Sequence, residues 1–221
     1  YEFYLNDLKP KIVLVEPNST NSVVDVAKKL KIPICEIKIK KDQPTGFFDL
    51  FNKESNFNEP NENDEALVLH TSGTTSRPKI VPLTNKNIYS SSLNISKSLS
   101  LSEEDHCLNI MPLFHIHGLI AIIASSMKSG ASVCASSGFN ALKFLELAKS
   151  EKITWYSGVP TMHQTIMLRA EKNLELAKNL NLRLVRSSSA SLPPAVFEKL
   201  NKVFNCPVIE AYGMTEATHQ M

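Results

Sequence analysis

The 221 residues suffice for one large domain or two small ones, and a hydrophobic content of 43% is that of an ordinary globular protein with a substantial core. The 24 basic and 22 acidic residues nearly cancel to a formal charge of +2, which excludes a basic field of the kind that holds nucleic acid and equally an acidic tail. No apolar run reaches the length of a membrane span and no signal-peptide core opens the chain, so partners must be read from individual sites.

Four cysteines, Cys35, Cys107, Cys134 and Cys206, are scattered without a C-x-x-C or a close His/Cys grouping. Free thiols in a reducing, intracellular compartment are expected, not a disulfide or a zinc site. The chain opens on Tyr1 within an amphipathic stretch and stops at Met221 just after a motif, and it reads as a piece of a longer protein.

In chain order, an apolar run at 12–15, a helical spacing of Val24, Ala27 and Leu30, and a strand-like run at 32–39 predict strand, helix, strand. Residues 40–64 turn to Asp, Asn, Glu, Pro and Lys, a long connector whose Phe47, Phe48, Phe51 and Phe57 are expected to anchor on the core. Leu67, Val68 and Leu69 then form a buried strand that stops at His70. The six small residues that follow, Thr71 to Ser76, cannot add much to a packed core. Their hydroxyls and backbone N–H groups can surround an anion, with Gly73 allowing close approach of the main chain. Arg77 and Lys79 add positive charge and Pro78 stiffens the exit. A solvated Ser/Thr turn is the plainer reading of such residues alone. The buried strand before them and the cation and apolar strand after them favour a polyphosphate loop, although the Walker pattern is absent.

Thr84 can cap a helix through 88–99 in which Ile88, Leu93 and Ile95 supply the buried side, and Ser102 begins a similar cap ahead of the run 107–111. A strongly apolar helix at 120–127, a strand at 130–134, a helix at 141–149 carrying Leu142, Leu145 and Leu147, and a strand at 153–156 come next. A helix at 161–169, a strand at 182–185, a helix at 193–204 and a last strand at 208–209 complete the pattern. Strands alternating with helices argue for an α/β fold of mostly parallel sheets flanked by helices, with ligands at the carboxyl ends of the strands.

Three further places carry chemistry. His115 and His117 flank one residue at a strand-to-helix junction, where side chains face a crevice; H-E-x-x-H and a third ligand at metal spacing are missing. His106 and His163 are expected to be satisfied core histidines. The small residues Ser187 to Ser191 leave room for a flat ring against the backbone. Glu210 to Glu216 read as a strand end turning at Gly213, which offers an aromatic plane, a hydroxyl and a carboxylate suited to a hard cation such as Mg²⁺.

Taken together, T-S-G-T-T-S-R-P-K at 71–79, M-P-L-F-H-I-H-G-L at 111–119, the small-residue segment and Y-G-M-T-E at 212–216 resemble the signature motifs of the acyl-adenylate-forming superfamily, in the same order. That superfamily includes acyl-CoA synthetases, luciferases and peptide-synthetase adenylation domains. The stretches 1–5 and 155–161 also read like family text, and Ser76 stands where a second Gly is commoner. The resemblance implies part of the large N-terminal domain of an adenylate-forming enzyme, with 1–64 as lead-in and connector and 65–221 as the nucleotide- and acyl-binding core. It implies that Thr71, Ser72, Gly73, Thr74, Thr75 and Lys79 hold the β- and γ-phosphates of ATP. Ser189, Ala190 and Ser191 would pack on adenine, with Glu210, Ala211, Tyr212, Gly213 and Met214 around them and Tyr212 stacked on the base. Thr215 would contact the α-phosphate, Glu216 would bind Mg²⁺, and His115 would lie beside the acyl carboxylate. Lys79, Thr215, Glu216 and His115 are thus the implied catalytic residues.

The resemblance further implies ATP (leaving as AMP), Mg²⁺ and CoA as cofactors, a small carboxylic acid as substrate, and two half-reactions at one site. The wording H-T-S-G-T-T-S-R-P-K and E-A-Y-G-M-T-E-A-T-H is closest to the oxalate–CoA ligase type. His115, His117, Ser189 and His219 are then expected to receive a short dicarboxylate. A medium- or long-chain fatty acyl substrate and a degenerate nucleotide-binding scaffold remain the alternatives. A ribose-binding Asp, a hinge and a mobile lid domain with a catalytic Lys would lie past Met221, and so would any peroxisomal address, leaving cytoplasm or peroxisome open.

Overall fold

Apolar pairs such as Cys107-Leu108, Trp155-Tyr156, Leu184-Val185 and Val208-Ile209 recur in the strands of the second half of the chain, because its sheet is covered on both faces. A computed structural model describes residues 1–40, 42–43, 48–49, 59–71 and 78–221. The chain divides into two compact units, Tyr1–Glu59 and Pro60–Met221.

In the first unit, helix α1 (Glu2–Leu8) precedes strand β1 (Val13–Val15), helix α2 (Val23–Lys29) and strand β2 (Ile34–Glu36). The parallel pairing of β1 with β2 makes this the expected strand–helix–strand. A two-residue strand β3 (Lys38–Ile39) pairs antiparallel with β4 (Phe48–Asp49). The Phe48 side chain is 49% exposed, so it does not anchor as its apolarity suggests. Phe47, Phe51 and Phe57 lie outside the described residues.

The second unit begins with an antiparallel hairpin, β5 (Glu65–His70) and β6 (Ile80–Thr84). Thr84 then starts α3 (Asn85–Ser98) through a reciprocal cap: its hydroxyl accepts from the Asn87 N–H, and the Asn87 side chain accepts from the Thr84 N–H. Strand β7 (His106–Asn109) leads to a π-helix (His117–Ala124), helix α4 (Ser125–Lys128) and strand β8 (Ser132–Ala135). Next come α5 (Phe144–Ser150), β9 (Trp155–Gly158), α6 (Pro160–Ala170), α7 (Leu174–Lys178), β10 (Leu184–Ser188), α8 (Pro194–Phe204) and β11 (Val208–Ala211). A terminal hairpin of β12 (Gly213–Met214) and β13 (His219–Gln220) encloses a 3₁₀ turn, Thr215–Ala217.

Strands β7 to β11 form one parallel sheet in the order β8-β7-β9-β10-β11. The chain leaves β7 for one side and returns to build the other, so the order switches between β7 and β9, where α/β sheets open a crevice at their carboxyl ends. One face carries Leu108, Tyr156, Val185 and Val208 into a core with α5, α6 and α8. The opposite face carries Cys107, Trp155 and Leu184 under α3, the hairpin strand β6 and the π-helix.

Three local departures from expectation have identifiable causes. The apolar segment predicted as an α-helix at 120–127 begins earlier and in the wider π form. Its Gly118 lies against the preceding turn, where an added Cβ would stand 2.6 Å from the Pro112 carbonyl oxygen. The helix predicted from 141 starts at Phe144, because Asn140 Oδ1 accepts from the Leu142 and Lys143 N–H groups and holds a turn there. Ser102 closes a turn and starts no helix: its N–H donates to Asp105 Oδ2 at 3.0 Å.

Asp105 is the anchor of that turn. Its carboxylate accepts from Arg183 Nε at 2.7 Å and Nη2 at 2.6 Å, and from the Thr154 hydroxyl at 2.8 Å. Burial alone would raise this carboxyl, but the bonds from Arg183, Ser102 and Thr154 outweigh it and hold its pKa below the ordinary value. Replacing Arg183 by Ala leaves the carboxylate buried without its cation. With Arg183 40% exposed, the cost should be about 2 kcal/mol, below the full value for breaking a buried pair. Urea unfolding at neutral pH checks it. Because the Asp105 pKa is depressed in the fold, the pair's contribution is present above the unfolded value of 3.8 and is lost as pH falls through the folded one. The difference between the two proteins should therefore shrink in acid.

Candidate active site

Toward the carboxyl ends of the strands, the face that carries Cys107, Trp155 and Leu184 turns polar. Side chains two positions further along a strand share that face, so the next row is Asn109, Ser157 and Arg186, in register across β7, β9 and β10. The row flanks the β7/β9 switch. All three residues are buried, and Arg186 is fully so.

Arg186 is the centre of a tight polar cluster. Its Nη1 approaches Ser157 Oγ at 3.3 Å and His117 Nε2 at 3.4 Å, while Nη2 donates to Gln220 Oε1 at 3.0 Å and approaches His219 Nδ1 at 3.5 Å. His117 Nε2 also lies 2.7 Å from Ser157 Oγ, and His117 Nδ1 lies 3.0 Å from Ser189 Oγ. The rings of His117 and His219 meet edge to face at 4.9 Å. Burial, with the neighbouring cation Arg186 adding to it, pushes His117 down to about 2 and His219 to about 3, so both rings are neutral near pH 7. Burial also lowers Arg186, to about 10, which still leaves it charged.

Two features of the backbone build this cluster. Gly118 lets the π-helix start directly against the 111–112 turn and so drops His117 into the crevice. Thr218 and His219 both have positive φ, 56° and 102°, and Ser189 has φ 72°. Left-handed conformations at three non-glycine residues, two of which touch His117, are the kind of local strain that collects at functional sites.

Beside the cluster lies a cavity of about 550 Å³ lined by Ser189, Ala190, Ser191, Glu210, Ala211, Tyr212 and Gly213. The two segments that line it leave β10 and β11 and are tied together. Ser188 Oγ donates to the Ala211 carbonyl at 2.7 Å, and Glu210 Oε1 accepts from the Leu192 N–H at 2.8 Å. Glu210 therefore fastens the wall, while Tyr212 stands 72% exposed at the rim. Met214 follows on β12, and Thr215 and Glu216 occupy the 3₁₀ turn after it, with Glu216 exposed.

The hairpin that carries the hydroxyl-rich segment is closed at its base by the Thr71 N–H donating to the Lys79 carbonyl at 2.9 Å. Strand β6, which leaves that segment, packs against the Thr215–Ala217 turn. Ser72, Gly73, Thr74 and Thr75 lie outside the described residues. His115 is exposed, and its Nδ1 accepts from the His117 N–H at 3.2 Å, so the two neighbouring histidines differ: His117 enters the cluster and His115 stays at the surface. His163 is the core residue expected, bonded to the Tyr156 hydroxyl at 3.1 Å, and His106 Nδ1 meets the Glu151 carbonyl.

Nothing in the motifs singles out Arg186, Ser157 or Gln220. Arg186 stood among small residues in the run L-V-R-S-S-S-A-S, and a charged residue within an otherwise apolar parallel strand was the signal available. Among the described residues no group of three His, Cys, Asp or Glu is placed to hold a metal ion, and no helix is long and apolar enough to cross a membrane.

Comparison with known proteins agrees with this architecture. The profile of the AMP-binding enzyme family matches residues 1–221. The oxalate–CoA ligase of Arabidopsis thaliana is 40% identical over 228 residues, spanning all of this chain and 44% of that protein. The oxalate–CoA ligase of Saccharomyces cerevisiae is 36% identical over 247 residues, spanning all of this chain and 45% of that protein. Among solved structures, a malonyl-CoA ligase ternary product complex with methylmalonyl-CoA and AMP bound superposes with a TM-score of 0.80 at 27% identity, covering 97% of this chain and 44% of that one. The ATP-bound MatB of Rhodopseudomonas palustris superposes at 0.81 with 24% identity, covering 99% and 43%, a likeness of fold. The chain thus spans less than half the length of the relatives it matches. With a family match along its whole length and relatives at these identities, the chain belongs to the AMP-binding enzymes.

Proposed function

We propose that the chain is the nucleotide- and acid-binding part of a longer acid–CoA ligase, and that its favoured acid is a short dicarboxylate such as oxalate. The observation that carries this reading is the adjacency of the 189–191/210–213 cavity to the buried Arg186 cluster, joined through Ser189. One compartment suits a nucleotide and the next suits an anionic acid.

The residues fit ATP and Mg²⁺ as ligands. Small side chains on one wall and the exposed Tyr212 ring at the rim leave a slot for a flat base. Because β6 packs on the Thr215–Ala217 turn, Lys79, which immediately precedes β6, and Glu216 are carried on adjoining elements. Glu216 offers the oxygen donor that Mg²⁺ takes, and the bound ion would neutralise phosphate charge. Thr215 would reach the α-phosphate, and Lys79 with the 71–75 segment would hold the β- and γ-phosphates. His115, at the surface beside His117, would stand at the acyl carboxylate.

The reaction is then two displacements. A carboxylate oxygen of the acid forms a bond to the α-phosphorus of ATP as the bond to the bridging oxygen breaks, and pyrophosphate leaves. The CoA sulfur next forms a bond to the acyl carbon, AMP leaves with the carboxylate oxygen, and the thiol proton passes to solvent. Carboxylate and triphosphate repel each other, so the protein's part is fixed positive charge and orientation.

ATP–pyrophosphate exchange and CoA-thioester formation by the full-length protein, over a panel of acids, test this. Oxalate should exceed any long-chain fatty acid in kcat/KM by about 100-fold or more, in keeping with a site built for a polar group. A preference for the fatty acid would discard the dicarboxylate. The absence of exchange with every acid would leave a nucleotide-binding scaffold.

A further inference from the structure

Arg186 is fully buried, yet each of its side-chain partners among the described residues, His117, Ser157, His219 and Gln220, is electrically neutral, and its Nε has no partner among them. A buried cation without a counter-charge is expensive, and replacing such groups by apolar ones of similar size is often neutral or stabilising. Its presence at the topological switch of the sheet therefore calls for an anion that arrives from outside.

The guanidinium can only donate hydrogen bonds. Whatever ring nitrogen faces it must accept, which makes His117 Nε2 and His219 Nδ1 the unprotonated nitrogens. The Ser157 hydroxyl, 2.7 Å from the same His117 Nε2, donates to it as well, since that hydroxyl accepts from Arg186. The proton of His117 is thereby left on Nδ1, turned toward Ser189 Oγ at 3.0 Å, and that of His219 is left on Nε2, across the ring from the guanidinium. Ser189 is one of the residues lining the nucleotide-sized cavity.

We propose that Arg186 is the charge-setting and positioning residue of the acid site: it fixes the tautomers of His117 and His219, with the His117 N–H turned toward Ser189 at the cavity, and its uncompensated charge selects an acid carrying a second carboxylate. This rests on the acid–CoA ligase reading above and deepens it. The second carboxylate keeps its charge through both displacements, so compensating it stabilises ground and transition states alike. Arg186 thus acts on KM for the acid, not on kcat.

The test uses the full-length protein with Arg186→Met and Arg186→Lys. Acyl-CoA formation is measured with oxalate and with glyoxylate, an acid of similar size with one carboxylate. Arg186→Met should lower the oxalate-to-glyoxylate ratio of kcat/KM by about 100-fold, chiefly through KM for oxalate, and Arg186→Lys should recover at least about tenfold of it. The melting temperature of Arg186→Met should stay within about 2 °C of the parent or rise, whereas a merely structural arginine would lower it. A folded Arg186→Met protein whose ratio stays within about threefold of the parent overturns the proposal. Imidazole ¹⁵N spectra of the unsubstituted protein provide a readout that needs no turnover. Unprotonated His117 Nε2 and His219 Nδ1 support the positioning role even if no acid is converted and the ligase reading fails, and a proton on either nitrogen refutes it.

Discussion

Lowering the pH should unfold the 60–221 unit cooperatively between about pH 4 and 5, with uptake of about three protons. Three buried histidines drive this. Burial holds His117 at about 2, His219 at about 3 and His163 at about 4, against an ordinary value of 6.5. Each ring is neutral in the fold and takes a proton when the chain unfolds below 6.5, so the unfolded state binds more protons over that whole range. Stability present above 6.5 is lost as pH falls toward the folded values. Each group contributes roughly 1.4 kcal/mol per pH unit, so three groups remove roughly 8 kcal/mol by two units below 6.5. That is comparable with the whole stability of an ordinary domain. Trp155, the only tryptophan in the chain and fully buried, reports the transition through its emission. His163→Phe, which removes one of the three titrating groups, should move the midpoint down by several tenths of a pH unit. A native Trp155 spectrum at about pH 3.5 would contradict the argument.

The same burial explains how much could be read from residues alone. The strand-and-helix alternation was legible because a sheet covered on both faces demands apolar residues, and β9 and β10 each open on such a pair, Trp155-Tyr156 and Leu184-Val185, before turning polar toward the site. The cavity wall was legible too. Ser189 to Ser191 and Glu210 to Gly213 were singled out separately for their small size and their turn, and the fold brings them together because β10 and β11 are neighbours. Periodicity could not reveal that Asn109, Ser157 and Arg186 share one row and one face, because register between strands is a tertiary fact. Nor could it separate His115 from His117: which of the two is buried depends on where the π-helix starts, and that is set by contact of Gly118 with the turn before it. His219 sits in a two-residue strand whose only pairing is with residues 213–214, too short to leave a pattern.

That short hairpin is the most sensitive joint in the site. Gly213 and Gln220 are paired across it, and the chain returns so closely that a Cβ on Gly213 would run into the His219 carbonyl group. No side-chain rotation relieves a clash with backbone, so Gly213→Ala must open β12 from β13. The opening displaces three things at once. His219 leaves the Arg186 cluster, Gln220 loses its 3.0 Å bond to Arg186, and the Thr215–Ala217 turn shifts against β6. Displacements of about 1 Å in positioning groups cost about 100-fold in rate, so ligase activity of the full-length protein should fall by at least that factor. Most of the sheet is untouched, and the melting temperature should fall far less than activity does. Gly118→Ala is the matched comparison, since its Cβ meets the Pro112 oxygen at 2.6 Å and disturbs the turn against which the helix carrying His117 begins. If both substitutions damage the same polar cluster, their combination should be much less than additive, because a site already opened by one has little left to lose to the other. Independent, multiplying losses would instead mean that the terminal hairpin and the π-helix serve separate sites.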